Sequence, residues 1–455
     1  ALIANRNYNP LIPDNLADPS LSKFGDTYYL YATTDLDYGL GRAGTPVVWK
    51  SKDFVNWSFE GSHIQGFDWA KGYDWVNDKG EKKTGYFRYW APGKVIEQNG
   101  TYYLYVTFVK PDEKMGTYVM IADRPDGPFR FAEGNGLFAP GVEGVDSPFI
   151  VNDIDGEPFI DDDGNGEPLT MQTARQGYSE GPLMFKRKGI YYYVYTLSGN
   201  QNYVNAYMMS RESPLSGFVK PEGNDIFLFS APENQVWGPG HGNIFYDEKT
   251  DEYIFLYLEY GDGGTTRQVY ANRMEFNEDG TIKTLVPDMR GVGYLSAPQE
   301  TRRNLALQAD FRASSEKAPR TAVVDIETQP NDPLPEKASV KKYTRTHTYQ
   351  AAHVGDESNG TRWMAAVTDG SPYITVDLKE MRNVGECQFY FTKPTEGHTW
   401  RLEKSVDGKH WQVCAEEKKL QARSPHVAKG IGEARYLRLH ILRGDCLLYT
   451  SDAAD

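Results

Sequence analysis

Hydrophobic positions in this chain come in short aromatic runs bounded by turns, not in helical stripes. Phe24-Gly25-Asp26-Thr27 is a turn, and Tyr28 to Thr33 behind it is a β-prone run. Asn99-Gly100-Thr101-Tyr102-Tyr103-Leu104-Tyr105 repeats the unit, as does Lys188-Gly189-Ile190-Tyr191-Tyr192-Tyr193-Val194-Tyr195. Thr250-Asp251-Glu252-Tyr253-Ile254-Phe255-Leu256-Tyr257 is a looser fourth copy. No long run carries apolar residues at i, i+3 and i+4, so helices should be few. A hairpin recurring every few tens of residues in an all-β chain predicts radial repetition, that is, a propeller. Five units across residues 1–295 allow roughly 59 residues per blade, enough for four short strands.

From Asn304 the texture changes. Trp363, then Tyr373 to Leu378, Ser405 to Trp411 and Ala434 to Leu439 read as short strands and turns of a β-sandwich. The expected organisation is a propeller over 1–295, a linker over 296–303 and a sandwich of jelly-roll type over 304–445. Gln329 to Lys341, rich in Pro, Asp and Glu, reads as a loop inside the sandwich. Residues 446–455 fit neither pattern and resemble the in-frame translation of a sequencing adapter, which would leave the sandwich truncated. Phe67 to Tyr89 is a polar, aromatic-studded insertion between the first two blades, either a substrate-lining loop or a surface cover.

Composition narrows the classes. With 455 residues the chain is long enough for two domains, and 44 Gly, 26 Pro and 31 Tyr suit many strands joined by tight turns. A net charge of −14 argues against nucleic acid or an anionic membrane surface as a partner. Three Cys give neither a disulfide framework nor metal-ligand spacing. No apolar segment approaches the length of a membrane span. The chain begins Ala1-Leu2-Ile3-Ala4, so export remains open on these residues.

Five short motifs lie just ahead of, or at the start of, the repeat hairpins. They are Ala17-Asp18-Pro19-Ser20, Tyr89-Trp90-Ala91-Pro92, Ile154-Asp155 followed by Asp161-Asp162-Asp163-Gly164, Glu180-Gly181-Pro182 and Gly240-His241-Gly242-Asn243. Radial symmetry would bring such positions together near the axis. Taken singly, each has a bland explanation: Asp before Pro is ordinarily a turn residue, and Glu-Gly-Pro a turn. His241 alone would be a core histidine and Trp90 blade filler. Asp161, Asp163, Asn165 and Gly166 fit the opening of a calcium loop, but position twelve would be Gln172 and no helix pattern flanks it.

In this order the motifs resemble glycoside hydrolase family 43, inverting enzymes on a five-bladed β-propeller that mostly remove arabinofuranose or xylose. The resemblance implies Asp18 as general base, Glu180 as general acid and Asp155 as the carboxylate that tunes and orients the acid, with Asp146 a competitor for that last role. It also implies substrate contacts from Trp90, His241 and Arg267, with a central-ion role for His241 as the alternative. Inversion needs one carboxylate to activate water and a protonated partner at the leaving oxygen, and a like charge in a partly dry funnel keeps such a proton in place. Residues 304–445 resemble a discoidin-like (coagulation-factor type C) domain, often a carbohydrate-binding module. The expected function is release of arabinofuranosyl or xylosyl units from plant polysaccharide by a secreted or periplasmic enzyme. No cofactor is required on this reading; a structural calcium ion stays open and the metal unknown. One departure stands out. Between Gly164 and Glu180 the third blade looks one or two strands short, so the alternative is a catalytically impaired propeller that only binds carbohydrate.

Overall fold

The structure is a computed structural model. It describes residues 7–37, 42–64, 66–132, 154–159, 178–261, 267–296, 303–327 and 341–443. Asp146, the acidic turn after Asp155, the shortened stretch near Asn165 and the tail 446–455 lie outside them.

A two-residue period decides what each strand buries. In the strand Thr27–Asp37, Tyr28, Leu30 and Ala32 pack with Phe245, Ile254, Leu256 and Val269, whereas Tyr31 packs on the other side with Leu104, Phe108 and Tyr118. The strand Ile190–Leu197 divides in the same way: Tyr192 and Val194 enter one core, Tyr195 and Leu197 another. Successive side chains point to opposite faces, so a sheet covered on both sides needs apolar residues at every position. That is why the repeats read as unbroken aromatic runs.

The sheets these strands build follow one another around a ring. Blade I holds Leu16–Phe24, Thr27–Asp37, Arg42–Ala43 and Val48–Ser51. Blade II holds Arg88–Trp90, Ile96–Gln98, Thr101–Val109, Met115–Ala122 and Arg130–Phe131. Of blade III the described residues are 154–159. Blade IV holds Tyr178–Arg187, Ile190–Leu197, Val204–Ser210 and Ile226–Leu228; blade V holds Gly240–Asp247, Glu252–Glu259 and Gln268–Met274. Residues before blade I close the ring against the third strand of blade V. Leu11 N–H donates to the Val269 carbonyl at 2.8 Å, and the Asn9 amide exchanges two hydrogen bonds of 2.9 Å with the Ala271 backbone. The fold is all-β, a five-bladed propeller followed by a sandwich.

The insertion after blade I is a cover. Its strands Tyr73–Val76 and Lys82–Gly85 form a small ribbon, and Phe67, Trp69 and Phe87 pack onto Phe108 of blade II, Phe67 at 4.9 Å between ring centres.

In the second domain the sheet runs in the order Asp310–Ala313, Tyr373–Phe389, His426–Arg443, His398–Ser405, Gln412–Gln421. The two longest strands bend at register breaks, between Asp377 and Arg382 and between Val384 and Glu386, so Ile374, Val384, Leu437 and Ala428 all enter one core with Trp363 and Trp400. A separate ribbon pairs Arg320–Ile326 with Lys341–His347. The domain is docked on the propeller, not tethered beside it. Arg423 and Ser424 pair as a strand with Glu60 and Phe59, and the Asn359 amide reaches the Pro10 and Leu11 carbonyls at 3.2 Å.

Candidate active site

In blades I, IV and V the innermost strand breaks its register at the same place. Pairing shifts between Ala17 and Ser20, between Glu180 and Leu183, and between Gly240 and Asn243. The residue at each of these breaks has a left-handed backbone, Asp18 (φ 52°), Gly181 (64°) and His241 (38°), and so do Ala91 (43°) in blade II and Asp155 (63°) in blade III. Outside glycine this conformation costs on the order of 1–2 kcal/mol per residue. The neighbouring blade holds it in place. Thr33 accepts the Ala91 N–H, Thr107 the Asp155 N–H and Thr196 the His241 N–H, each at 2.8 Å. These threonines sit opposite Ala17, Trp90 and Glu180, the residues just before Asp18, Ala91 and Gly181. At the junction of blades V and I the matching position, opposite Gly240, is Leu258.

The breaks aim side chains at the axis and there build one cluster. His241 Nδ1 lies 3.4 Å from Asp18 Oδ1 and 3.8 Å from Asp155 Oδ2. Asp155, Glu180 and His241 each bring a ligand-type atom within 4.8 Å of the others. Asp18, Asp155 and His241 are buried, and Glu180 is half-buried. Thr33 Oγ1 donates to Asp18 Oδ2 at 2.7 Å, and the Gly181 N–H reaches Asp155 Oδ2 at 3.4 Å. The Tyr203 hydroxyl donates to Glu180 Oε1.

Three carboxylates against one imidazole leave surplus negative charge in a poorly solvated place. Asp155 is pushed up to about 7, chiefly by burial and then by the charges of Glu180 and Asp18, against the opposing pull of His241 and the Gly181 N–H. Burial draws His241 down, but Asp18, Asp155, Glu180 and Glu157 together outweigh it, so the imidazole lies above its ordinary value. As a ligand set, two carboxylates and an imidazole supply few of the oxygens that calcium takes and are closer to a transition-metal site.

Comparison with known proteins identifies the family. The chain matches the sequence profile described as glycosyl hydrolases family 43 over residues 7–167 and 165–282, together more than half its length. It belongs to glycosyl hydrolases family 43. Residues 353–439 match the NedA-like, galactose-binding domain, the discoidin-like family expected for the second domain. A solved structure titled "Glycoside hydrolase" superposes with a TM-score of 0.77 at 37% identity, covering 97% of this chain and 98% of the other. Beta-D-galactofuranosidase of Aspergillus niger is 25% identical over 62% of this chain and 86% of its own length. An extracellular endo-alpha-(1->5)-L-arabinanase of Thermotoga petrophila is 23% identical over 58% and 69%. The family match breaks at residues 165–167, where the third blade reads as short.

The other two residues singled out in this family 43 chain stand beside the cluster. Arg267 is buried in a two-point pair with Asp35, Nε to Oδ2 at 2.7 Å and Nη2 to Oδ1 at 2.9 Å, and its charge is felt at Asp18 and Tyr203. Trp90 is half-buried, with the Arg88 guanidinium 4.9 Å over its ring. Sequence reasoning missed Asp35, Thr33, Tyr203 and Glu157. Glu157 accepts the Lys94 N–H at 2.8 Å and the Asn243 amide at 3.0 Å, and burial pushes it up to about 7. Its place in Asp155-Gly156-Glu157-Pro158, two residues after a candidate, was the available signal. Tyr203 had none, because its partner Glu180 is distant in the chain.

Proposed function

We propose that the protein is an inverting glycosidase that releases arabinofuranosyl or xylosyl units from plant cell-wall polysaccharide or oligosaccharide outside the cytoplasm. The observation that carries this is the convergence of Asp18, Asp155 and Glu180 around His241 on the propeller axis. Asp18, oriented by the Thr33 hydroxyl, is the base that takes a proton from water. Glu180, steadied by Tyr203, is the acid that protonates the departing oxygen. Asp155 holds a proton near neutrality within reach of Glu180 and orients it. His241 stands between the carboxylates, whose charges hold its imidazole above its ordinary value, and it moderates their repulsion. Trp90 supplies a ring for a sugar face, and Arg267 contributes fixed positive charge beside Asp18. The break in the family match favours a second reading, a propeller that binds the same sugars without cleaving them.

Aryl α-L-arabinofuranoside, β-D-xyloside and β-D-galactofuranoside, assayed with proton NMR of the first-formed sugar, separate these readings. Release of one sugar with inverted anomeric configuration is expected. Retention of configuration would remove Asp18 as base, and binding without any release would leave the second reading.

A further inference from the structure

The second domain reaches the active site through a chain of contacts that the propeller motifs do not announce. Arg345, on the strand Lys341–His347, sets its guanidinium on the Glu259 carboxylate, Nη2 to Oε1 at 2.8 Å and Nη1 to Oε2 at 3.4 Å. Nη2 also donates to the Gln235 carbonyl at 2.5 Å, and the plane lies 3.9 Å over the Trp237 ring. Glu259 is only 1% exposed. The same carboxylate takes the backbone N–H groups of Trp237 at 3.3 Å and Gly261 at 3.0 Å. Arg345 therefore neutralises the carboxylate that holds down the start of the segment Trp237-Gly238-Pro239-Gly240-His241.

That segment has no slack with which to absorb a displacement. A Cβ on Gly238 would lie 2.6 Å from the Tyr260 Cβ and 2.7 Å from the Asn200 carbonyl, and one on Gly240 would lie 2.6 Å from the Tyr203 ring. The Pro239 carbonyl is held by the Asn205 amide at 2.9 Å. Movement at Trp237 must pass to Tyr203, the partner of Glu180, and to His241. A second tether acts on the same place. The Glu327 N–H, just past the strand Arg320–Ile326, donates to Asn202 Oδ1 at 2.9 Å, and Asn202 directly precedes Tyr203. Between the two tethers, Val324, Ile326 and Tyr343 pack on Trp237.

We infer that Arg345 is a positioning residue of the active site: through Glu259 and Trp237 it sets the placement of Tyr203 and His241. The second domain is thereby part of the catalytic scaffold. This rests on the roles of Glu180 and His241 proposed above, and the test has one arm that does not. In the full chain, Arg345→Met and Arg345→Lys are compared with the parent on the aryl glycoside it cleaves best, at a temperature where circular dichroism shows all three folded. Misplacement of reacting groups lowers kcat rather than binding, so Arg345→Met is expected to lose about tenfold or more in kcat with KM within about twofold. Arg345→Lys, which keeps the charge but not the fork or the stacking, should fall between. The independent arm is hydrogen exchange of the amides at 200–205 and 237–241, which should quicken in Arg345→Met whether or not the parent is active. Parental kcat in folded Arg345→Met, or a rise in KM alone, would show an ordinary structural contact, and unchanged exchange would overturn the inference by itself. A parent inactive on every glycoside, with quickened exchange in the variant, would instead count against the proposed function.

Discussion

Buried charge is handled in two ways within the propeller. Asp35 and Arg267 meet as a matched fork, two parallel hydrogen bonds between one negative and one positive group, and Glu259 and Arg345 repeat the arrangement. The axis cluster is unmatched: Asp18, Asp155 and Glu180 share a single imidazole, and Nδ1 of His241 makes no direct hydrogen bond to them. In a matched fork the opposite charge offsets part of the desolvation cost, although burial still holds the Asp35 carboxyl above its ordinary value. The unmatched cluster retains a carboxyl whose proton is held up to neutral pH, which acid–base chemistry requires. Burial raises carboxyls in both places, and charge balance is what differs between them.

The comparison breaks most visibly at turnover. Asp18→Asn or Glu180→Gln should lower kcat by about 10²–10⁴-fold while the melting temperature does not fall, because each removes a surplus negative charge. Near-parental turnover in either variant would take that residue out of the mechanism. Asp35→Asn should act in the opposite sense. It strands the buried Arg267 charge and should cost on the order of 3–5 kcal/mol in urea unfolding; a loss under about 1 kcal/mol would place Asp35–Arg267 with weak pairs.

Asp155 offers a sharper discrimination through pH. Its folded value is raised above the unfolded one, so its contribution to stability is complete below pH 4 and is lost as pH rises through about 7. Asp155→Asn lacks that loss, so its stability relative to the parent should improve between pH 4 and pH 8 by on the order of 1–4 kcal/mol. A parallel pH dependence of the two proteins in chemical denaturation would contradict the raised value. The smallest effect belongs to the exposed pair of Arg423 and Glu60 at the domain contact, with side chains 36% and 76% exposed. Arg423→Ala should change stability by less than about 1 kcal/mol, measured by the same unfolding curves.

Much of this architecture was legible in local pattern. Hairpin turns and aromatic runs depend on neighbours in the chain, so Tyr28, Tyr102 and Tyr192 announced blades directly. The motifs around Asp18, Glu180 and His241 marked the positions at which the strands break register. What local pattern could not show is that those motifs occupy two different positions in the repeat. Asp18, Asp155 and His241 carry the left-handed backbone, with Ala91 and Gly181, whereas Glu180 and Trp90 stand one residue earlier, opposite a threonine.

The hairpin repeat, the change of texture near Asn304 and the candidate residues are properties of short stretches, and the sequence by itself determined them. Partnership was decided only by the tertiary structure. Asp35 finds Arg267 across 232 positions, Tyr203 finds Glu180 across the same blade, and Arg345 crosses from one domain to Glu259 in the other. Burial acts likewise: Asp155 and Glu157 are ordinary carboxylates in the sequence, and chiefly the loss of water around them moves their protons toward neutral pH. Hydrogen bonding within a turn is set by adjacent residues, whereas desolvation and charge pairing depend on every atom that closes around a group, and those atoms arrive from distant parts of the chain.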